Sequence, residues 1–414
     1  MLELKNMKQC NNSKTGPAGP VLGIKILDIS TVIAAPLAST LLADLGAEVI
    51  KVEIPVDGDP LRHLPPHKEG IPLWTKVTNR NKRGITIDLR KPEGIELLEK
   101  LIPTQDVLIE NFRPGVLSGW GLTKERLLEL NPKLIILRVT GFGQTGPYAN
   151  QPGFARVFEA MSGFADLCGE PDGPPMFAGF PISDALAGVF GALAVVAALY
   201  HRERNHSEIG QEIDLSATEA MFRVLDFLAI EYDQLGTVRK RNGTRNFYSA
   251  PSDVYRTKDD CWISLAVSTP SLFTRLTKAI GHPQLVLDER FNTNTARLKN
   301  REEIEKIISQ FVEDKTSLEL SEIFGKYEVS YSNILNISEI FADRHVIERQ
   351  AIVTVPDSDF GEVKMQCVVP RFSSTPGRIW RSGPSLGEHN KDIFNRELGL
   401  SEEETNLLKI NGII

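Results

Sequence analysis

From Ala185 to Tyr200 the chain carries no charged residue, and Val189, Phe190, Leu193, Val195, Val196, Leu199 and Tyr200 leave a helix there without a polar side. A helix apolar all round has to be buried, so this stretch predicts a central core helix about which the chain is packed. It is entered through Gly179-Phe-Pro-Ile-Ser-Asp184-Ala-Leu-Ala-Gly188. Asp184 thereby reaches the interior at the first turn, where unpaired backbone N–H groups and the positive end of the helix dipole favour an ionised carboxylate. Two readings stay open on the residues alone. Asp184 or Ser183 caps the helix, or the carboxylate is kept there for chemistry.

A core of that kind belongs to a large globular chain, and 414 residues exceed one average domain, so two are expected. Charged residues make up 24% and hydrophobic ones 41%, within the ordinary soluble range. A net charge of −7 argues against nucleic acid or an anionic membrane as the main partner. The uncharged run is shorter than the roughly 20 residues of a membrane span and lies mid-chain, so neither a span nor a signal peptide is expected. Cys10, Cys168, Cys261 and Cys367 are far apart and suit a reducing cytoplasm rather than a disulfide framework or zinc site. Residues 1–17 are polar and read as a flexible tail.

Short β-rich runs at 24–29, 48–53, 85–89, 106–110 and 134–139 alternate with helical patterns, including one opened by Lys91-Pro92-Glu93. Such alternation predicts an α/β fold, a doubly wound, Rossmann-like parallel sheet covered by helices on both faces. Ligands of these sheets bind beyond the carboxyl ends of the strands. That singles out Thr31–Ala35, Asn111-Phe-Arg-Pro-Gly115 and Gly141-Phe-Gly-Gln-Thr-Gly146. The last fits GxGxxG, but it follows a late strand and runs into Pro147 instead of a helix, which excludes a nicotinamide site. A long helix is expected over 216–235, then a basic, turn-rich stretch at 237–250, then a small α+β unit. Arg239, Lys240, Arg241 and Arg245 either hold an acid through guanidinium forks or line a solvated loop.

The seven histidines have no metal-ligand spacing, so no metal site is expected. There is no Walker loop and no GxSxG elbow. Ser162 lacks a base nearby in sequence, His389 is either a base or a surface turn residue, and Glu159 reads as the solvated face of a helix unless a pocket is near.

Taken in order, Leu27-Asp-Ile-Ser30, Leu42-Ala-Asp-Leu-Gly-Ala-Glu-Val-Ile-Lys-Val-Glu53, Asn81-Lys-Arg-Gly-Ile-Thr-Ile-Asp-Leu89, Glu110-Asn-Phe-Arg-Pro-Gly115, Gly141-Phe-Gly-Gln-Thr-Gly-Pro147, Ala160-Met-Ser-Gly163 and Gly169-Glu-Pro-Asp-Gly173 form a dense series. The chain closely resembles the family III CoA-transferases, the group of formyl-CoA transferase and crotonobetainyl-CoA:carnitine CoA-transferase, from about residue 20 to the C-terminus. The resemblance implies an acyl-CoA:carboxylate CoA-transferase with Asp184 as nucleophile. Acyl-aspartyl anhydride and aspartyl-CoA thioester intermediates would pass CoA from an acyl-CoA donor to a carboxylic acid acceptor. Gly143 and Gln144 of the glycine loop would serve the oxyanion. CoA, a substrate rather than a permanently bound cofactor, would lie on Val32, Ile33, Ala34, Ile87, Arg90, Asn111 and Phe112. The family's interlocked-ring homodimer implies a large domain over 18–225 completed by 345–414, with a small domain over 226–344 whose Arg241 and Arg245 would read the acceptor.

The sequence also departs from the family pattern. Phosphate-contacting arginines of formyl-CoA transferase fall on Ile54 and Gly119, and its second-domain glycine loop has no counterpart in 237–250, which sets an oxalate acceptor aside. Many transferases carry an acid at the position of Ala155. An acyl-CoA racemase of this fold would need a histidine where Phe154 stands; a non-catalytic CoA-binding regulator is the alternative outside enzymes.

Overall fold

The computed structural model describes residues 16–414. The expected tail and Cys10 lie outside these residues, except for positions 16 and 17. The chain divides into a larger unit of residues 16–164, 177–230 and 348–414 and a smaller one of 165–176 and 231–347. The segment 165–176, placed with the large domain on sequence, groups with the smaller unit.

The larger unit is built on a six-stranded sheet. Its strands are β1 (Lys25–Asp28), β2 (Glu48–Glu53), β3 (Lys82–Thr86), β4 (Val107–Glu110), β5 (Ile135–Thr140) and β6 (Gln211–Ser216). Every pairing is parallel, in the spatial order β3-β2-β1-β4-β5-β6. Side chains alternate between two buried layers, as a period of two requires. Ile26, Val49, Val107 and Leu137 enter one layer, and Leu27, Ile50, Leu108 and Ile136 the other. The second layer is covered by α2 (Pro92–Leu101) and by the chain's end, where Ile393, Phe394, Ile413 and Ile414 are buried. Helices α1 (Ala34–Asp44) and α4 (Ile182–Arg204) cover the first.

Between them in sequence lies the short α3 (Ala155–Met161), and α5 (Ala217–Arg223) follows β6. Helix α4 sits very close to α1: a Cβ at Gly188 would stand 2.8 Å from the Leu37 side chain, so only glycine permits this approach. The expected helix over 216–235 is broken, with α5 ending at Arg223 and a second helix starting at Leu228. Asp226 lies between them at φ 46°, a conformation that ends a helix.

Helix α4 differs from the all-round core helix expected of it. Ala187, Gly191, Val195 and Ala198 are buried against the sheet side. Val189, Leu193, Val196 and Tyr200 form an opposite apolar stripe, with Leu193 61% and Tyr200 67% exposed. Its 23 residues are long and apolar enough for a membrane span, but the buried half packs on the protein itself.

The smaller unit carries a three-stranded antiparallel sheet of Ser252–Arg256, Trp262–Ala266 and Tyr331–Asn333. Its helices bury Phe273, Ile304, Ile308 and Phe324 with it in a core of their own. Strands and helices together make this an α+β unit.

Candidate active site

The strand order reverses between β1 and β4, so the chain leaves these neighbours in opposite directions and opens a crevice at their carboxyl ends. The segment after β1 is clamped there. Asn111, just past β4, accepts the Thr31 N–H at 2.8 Å and returns its side-chain amide to the Thr31 carbonyl at 2.8 Å. The Val32 N–H is held by both Asp59 oxygens at 3.0 Å. Val32 is thereby fixed at φ 67°, a strained position for a β-branched residue.

Beneath this loop lies a buried charge network that the sequence reading missed. Asp28 pairs with Lys82 at 2.9 Å and Lys51 at 3.7 Å, and Lys51 reaches Asp59 at 3.6 Å. Burial works to raise the Asp28 carboxyl, but the two ammonium groups and the Ser30 and Ser39 hydroxyls hold it well below the usual carboxylate range. The available signal was a lysine, Lys51, midway along a strand of a sheet buried on both faces. Such a charge demands a partner.

Two adjoining cavities open on the crevice, sharing Thr31 and Phe112. One, of about 400 Å³, is lined by Ile54, Ile87, Arg90 and Trp120 among others. Arg90 is forked onto Asp88 at 2.8 and 2.9 Å. The other, of about 230 Å³, is lined by Val32, Ile33, Ala34, Asn111 and Phe112, with Asp184 among its walls. All seven positions assigned to CoA therefore border one cavity or the other. Gly119 lines neither.

Asp184 is the third residue of α4, whose N-cap is Pro181 with no side-chain cap bond, so neither Asp184 nor Ser183 caps the helix. Ser183 Oγ instead donates to the Ala155 carbonyl at 3.0 Å. Asp184 is only 9% exposed, and no described residue donates a hydrogen bond to its carboxylate. Burial, then the negative charge of Glu159, push its pKa up to about 6. The helix start does not hold the acid at its ordinary strength, yet at neutral pH it remains mostly ionised. A nearly dry carboxylate free of donors on a cavity wall is equipped for nucleophilic attack.

Other predicted residues fall elsewhere. Gly143 and Gln144 are not on the wall with Asp184, although Gly141 is. The Gln144 N–H is taken by Asp214 at 3.0 Å, while its buried side-chain Nε2 has no acceptor. Phe154, 75% exposed, lines the Asp184 cavity with a ring that cannot carry a proton. Arg241 pairs with Asp166 at 2.8 Å and Arg245 with Glu305 at 2.9 Å, so both are neutralised within the smaller unit. His389 is not a surface residue and does not line the Asp184 cavity. It is buried and accepts the Gly84 N–H at 3.1 Å, pinning β3.

Glu159 is fully buried, not solvated. Arg113, also missed, is the one basic side chain on the Asp184 cavity and makes no ion pair with any described residue.

Comparison with known proteins fits this site. The profile of CoA-transferase family III matches residues 22–390. The chain is 42% identical over 403 residues to succinyl-CoA–D-citramalate CoA-transferase of Chloroflexus aurantiacus, covering 97% of this chain and 100% of that one. It is 37% identical to succinate–glutarate CoA-transferase of Agrobacterium fabrum, with 91% and 95% covered. Among solved structures, a CaiB/BaiF family protein from Brucella suis superposes with a TM-score of 0.80 at 33% identity, covering 92% of this chain and 99% of that one. The chain belongs to CoA-transferase family III and is an acyl-CoA:carboxylate CoA-transferase.

Proposed function

We propose that this enzyme moves CoA between short dicarboxylic acids, with succinyl-CoA as donor, through covalent intermediates on Asp184. The observation that carries the proposal is the Asp184 carboxylate itself, nearly buried on a cavity wall and accepting no hydrogen bond from any described residue. An Asp184 oxygen attacks the thioester carbonyl carbon, the C–S bond breaks, and CoA thiolate leaves an acyl-aspartyl anhydride. The thiolate then attacks the aspartyl carbonyl carbon, releasing the donor acid and leaving an aspartyl-CoA thioester. The acceptor carboxylate displaces the thiolate from that thioester to give a second anhydride. Thiolate attack on the acceptor's acyl carbon restores the Asp184 carboxylate. No proton is consumed and no redox change occurs.

CoA lies along the two adjoining cavities, its thioester end toward Asp184 and its nucleotide end toward Ile87 and Arg90. In this reading the oxyanion is served from the glycine loop of Gly143 and Gln144, whose neighbour Gly141 is on the Asp184 wall. The named relatives act on succinate, citramalate and glutarate. Arg113 suits the second carboxylate of such an acid, because an unpaired guanidinium binds one in a fork. The assembly in this reading is an interlocked homodimer in the cytoplasm, supported by the apolar stripe left uncovered on α4.

The test is to incubate the protein with succinyl-CoA, trap with hydroxylamine or borohydride, and map the modified peptide. Modification at Asp184, and no exchange by Asp184→Ala, are expected. An adduct on another residue, or a variant that still exchanges CoA, overturns the mechanism.

A further inference from the structure

Glu159 is buried beside the nucleophile and has no part in the chemistry described so far. It lies on α3, fully excluded from solvent, where an ionised acid needs donors or a cation. Its Oε1 accepts the Ser183 N–H at 3.3 Å. Its Oε2 is buried with no partner, and among the described residues no cation pairs with it. The serines nearby do not answer it, since Ser162 Oγ donates to the Glu159 backbone carbonyl and Ser183 Oγ to that of Ala155.

Helix α3 packs against α4 and α5. From α4 comes Asp184. Helix α5 carries Glu219 and Arg223, both exposed, and Asp214 at the end of β6 is taken up with the Gln144 N–H. Arg156, on α3 itself, lies over the Phe177 ring at 5.3 Å. None of these compensates Glu159, whose charge adds to burial in raising the Asp184 pKa.

We propose that Glu159 is a positioning residue that sets the reactivity of Asp184, anchoring the first turn of α4 through the Ser183 N–H while pressing an uncompensated negative charge on the nucleophile. The proposal rests on Asp184 as the nucleophile. Repulsion between the two carboxylates is present only while Asp184 is ionised. It ends when Asp184 becomes an anhydride or a thioester, because the acylated side chain is neutral. The covalent intermediates are thereby favoured over the resting enzyme, and a more basic carboxylate is also a better nucleophile. Glu159 itself forms and breaks no bond.

The experiment compares wild type, Glu159→Gln and Glu159→Asp with succinyl-CoA in single-turnover trapping and in pH profiles of kcat/KM. Glutamine keeps the shape and the acceptor for Ser183 but not the charge. Burial, the larger cause, remains in this variant, so its acid limb should move down from about 6 by only the part that Glu159 contributes. Its acylation rate should fall about tenfold, with KM for succinyl-CoA unchanged, and aspartate should restore much of both. A glutamine variant with wild-type acid limb and trapping rate overturns the inference. If it does not fold, carboxylate infrared difference spectra of wild type against Asp184→Asn decide the matter. A second carboxylate band that shifts as Asp184 titrates supports the inference, and a single band titrating alone overturns it, since burial by itself also raises Asp184. Exchange by Asp184→Asn would instead sink the nucleophile assignment, so the two failures are separable.

Discussion

Asp184 is kept where its charge is least comfortable, and this has a cost in stability that is measurable apart from activity. Its folded pKa of about 6 lies above the ordinary 3.8. Between those values the folded chain holds more of this proton than the unfolded chain, so stability falls as pH rises through the window and the full loss is present above it. At about 1.4 kcal/mol per pH unit the loss comes to about 3 kcal/mol. Asp184→Asn should therefore unfold later than wild type at pH about 7.5, by about 2–3 kcal/mol, with the gain vanishing near pH about 4. Urea melts at the two pH values check this, and an equal gap at both would contradict it. Catalysis by the proposed Asp184 nucleophile runs the other way, since attack needs the ionised form and kcat/KM should rise with pH through about 6. Arg113 gives a second prediction at this scale. Arg113→Ala should raise KM for a dicarboxylate acceptor about tenfold and leave a monocarboxylate of similar length unaffected. Acceptor kinetics with matched acids measure it.

Among elements, the clamp on the loop after β1 does more than its sequence suggests. Asn111 borders the second cavity with its side chain occupied by Thr31, so in the proposed CoA site it would act by shaping the loop. Asn111→Ala should lose about 1–2 kcal/mol of stability and raise KM for acyl-CoA more than it lowers kcat. Thermal melts and initial rates together test that pattern. The strands were legible because apolar runs bounded by turn residues have a period that few other structures share. The break at Asp226 was not, because nothing in the apolar spacing before it announces a left-handed residue. Glu159 lies on a helix, as its spacing predicts, but periodicity gives the spacing of a face and not its direction. Only packing of α3 on α4 turns it inward. For Asp184 the ordered motifs supplied the position, whereas its lack of donors follows from how Ser183 and Ala155 meet and is invisible in the chain.

At the scale of the whole molecule, α4 joins two roles. It presents Asp184 at its start, and along one side it leaves Val189, Leu193, Val196 and Tyr200 uncovered. The proposed dimer buries that stripe. Leu193→Lys should then shift the protein toward monomer by sedimentation or light scattering, and an unchanged mass would count against the stripe as an interface. If the helix of the proposed nucleophile is completed only by association, an interlocked dimer makes that completion once, as the two chains fold through each other. Specific activity would then hold on dilution, whereas activity lost on denaturation would return at a rate that rises with protein concentration, because refolding chains must meet their partners.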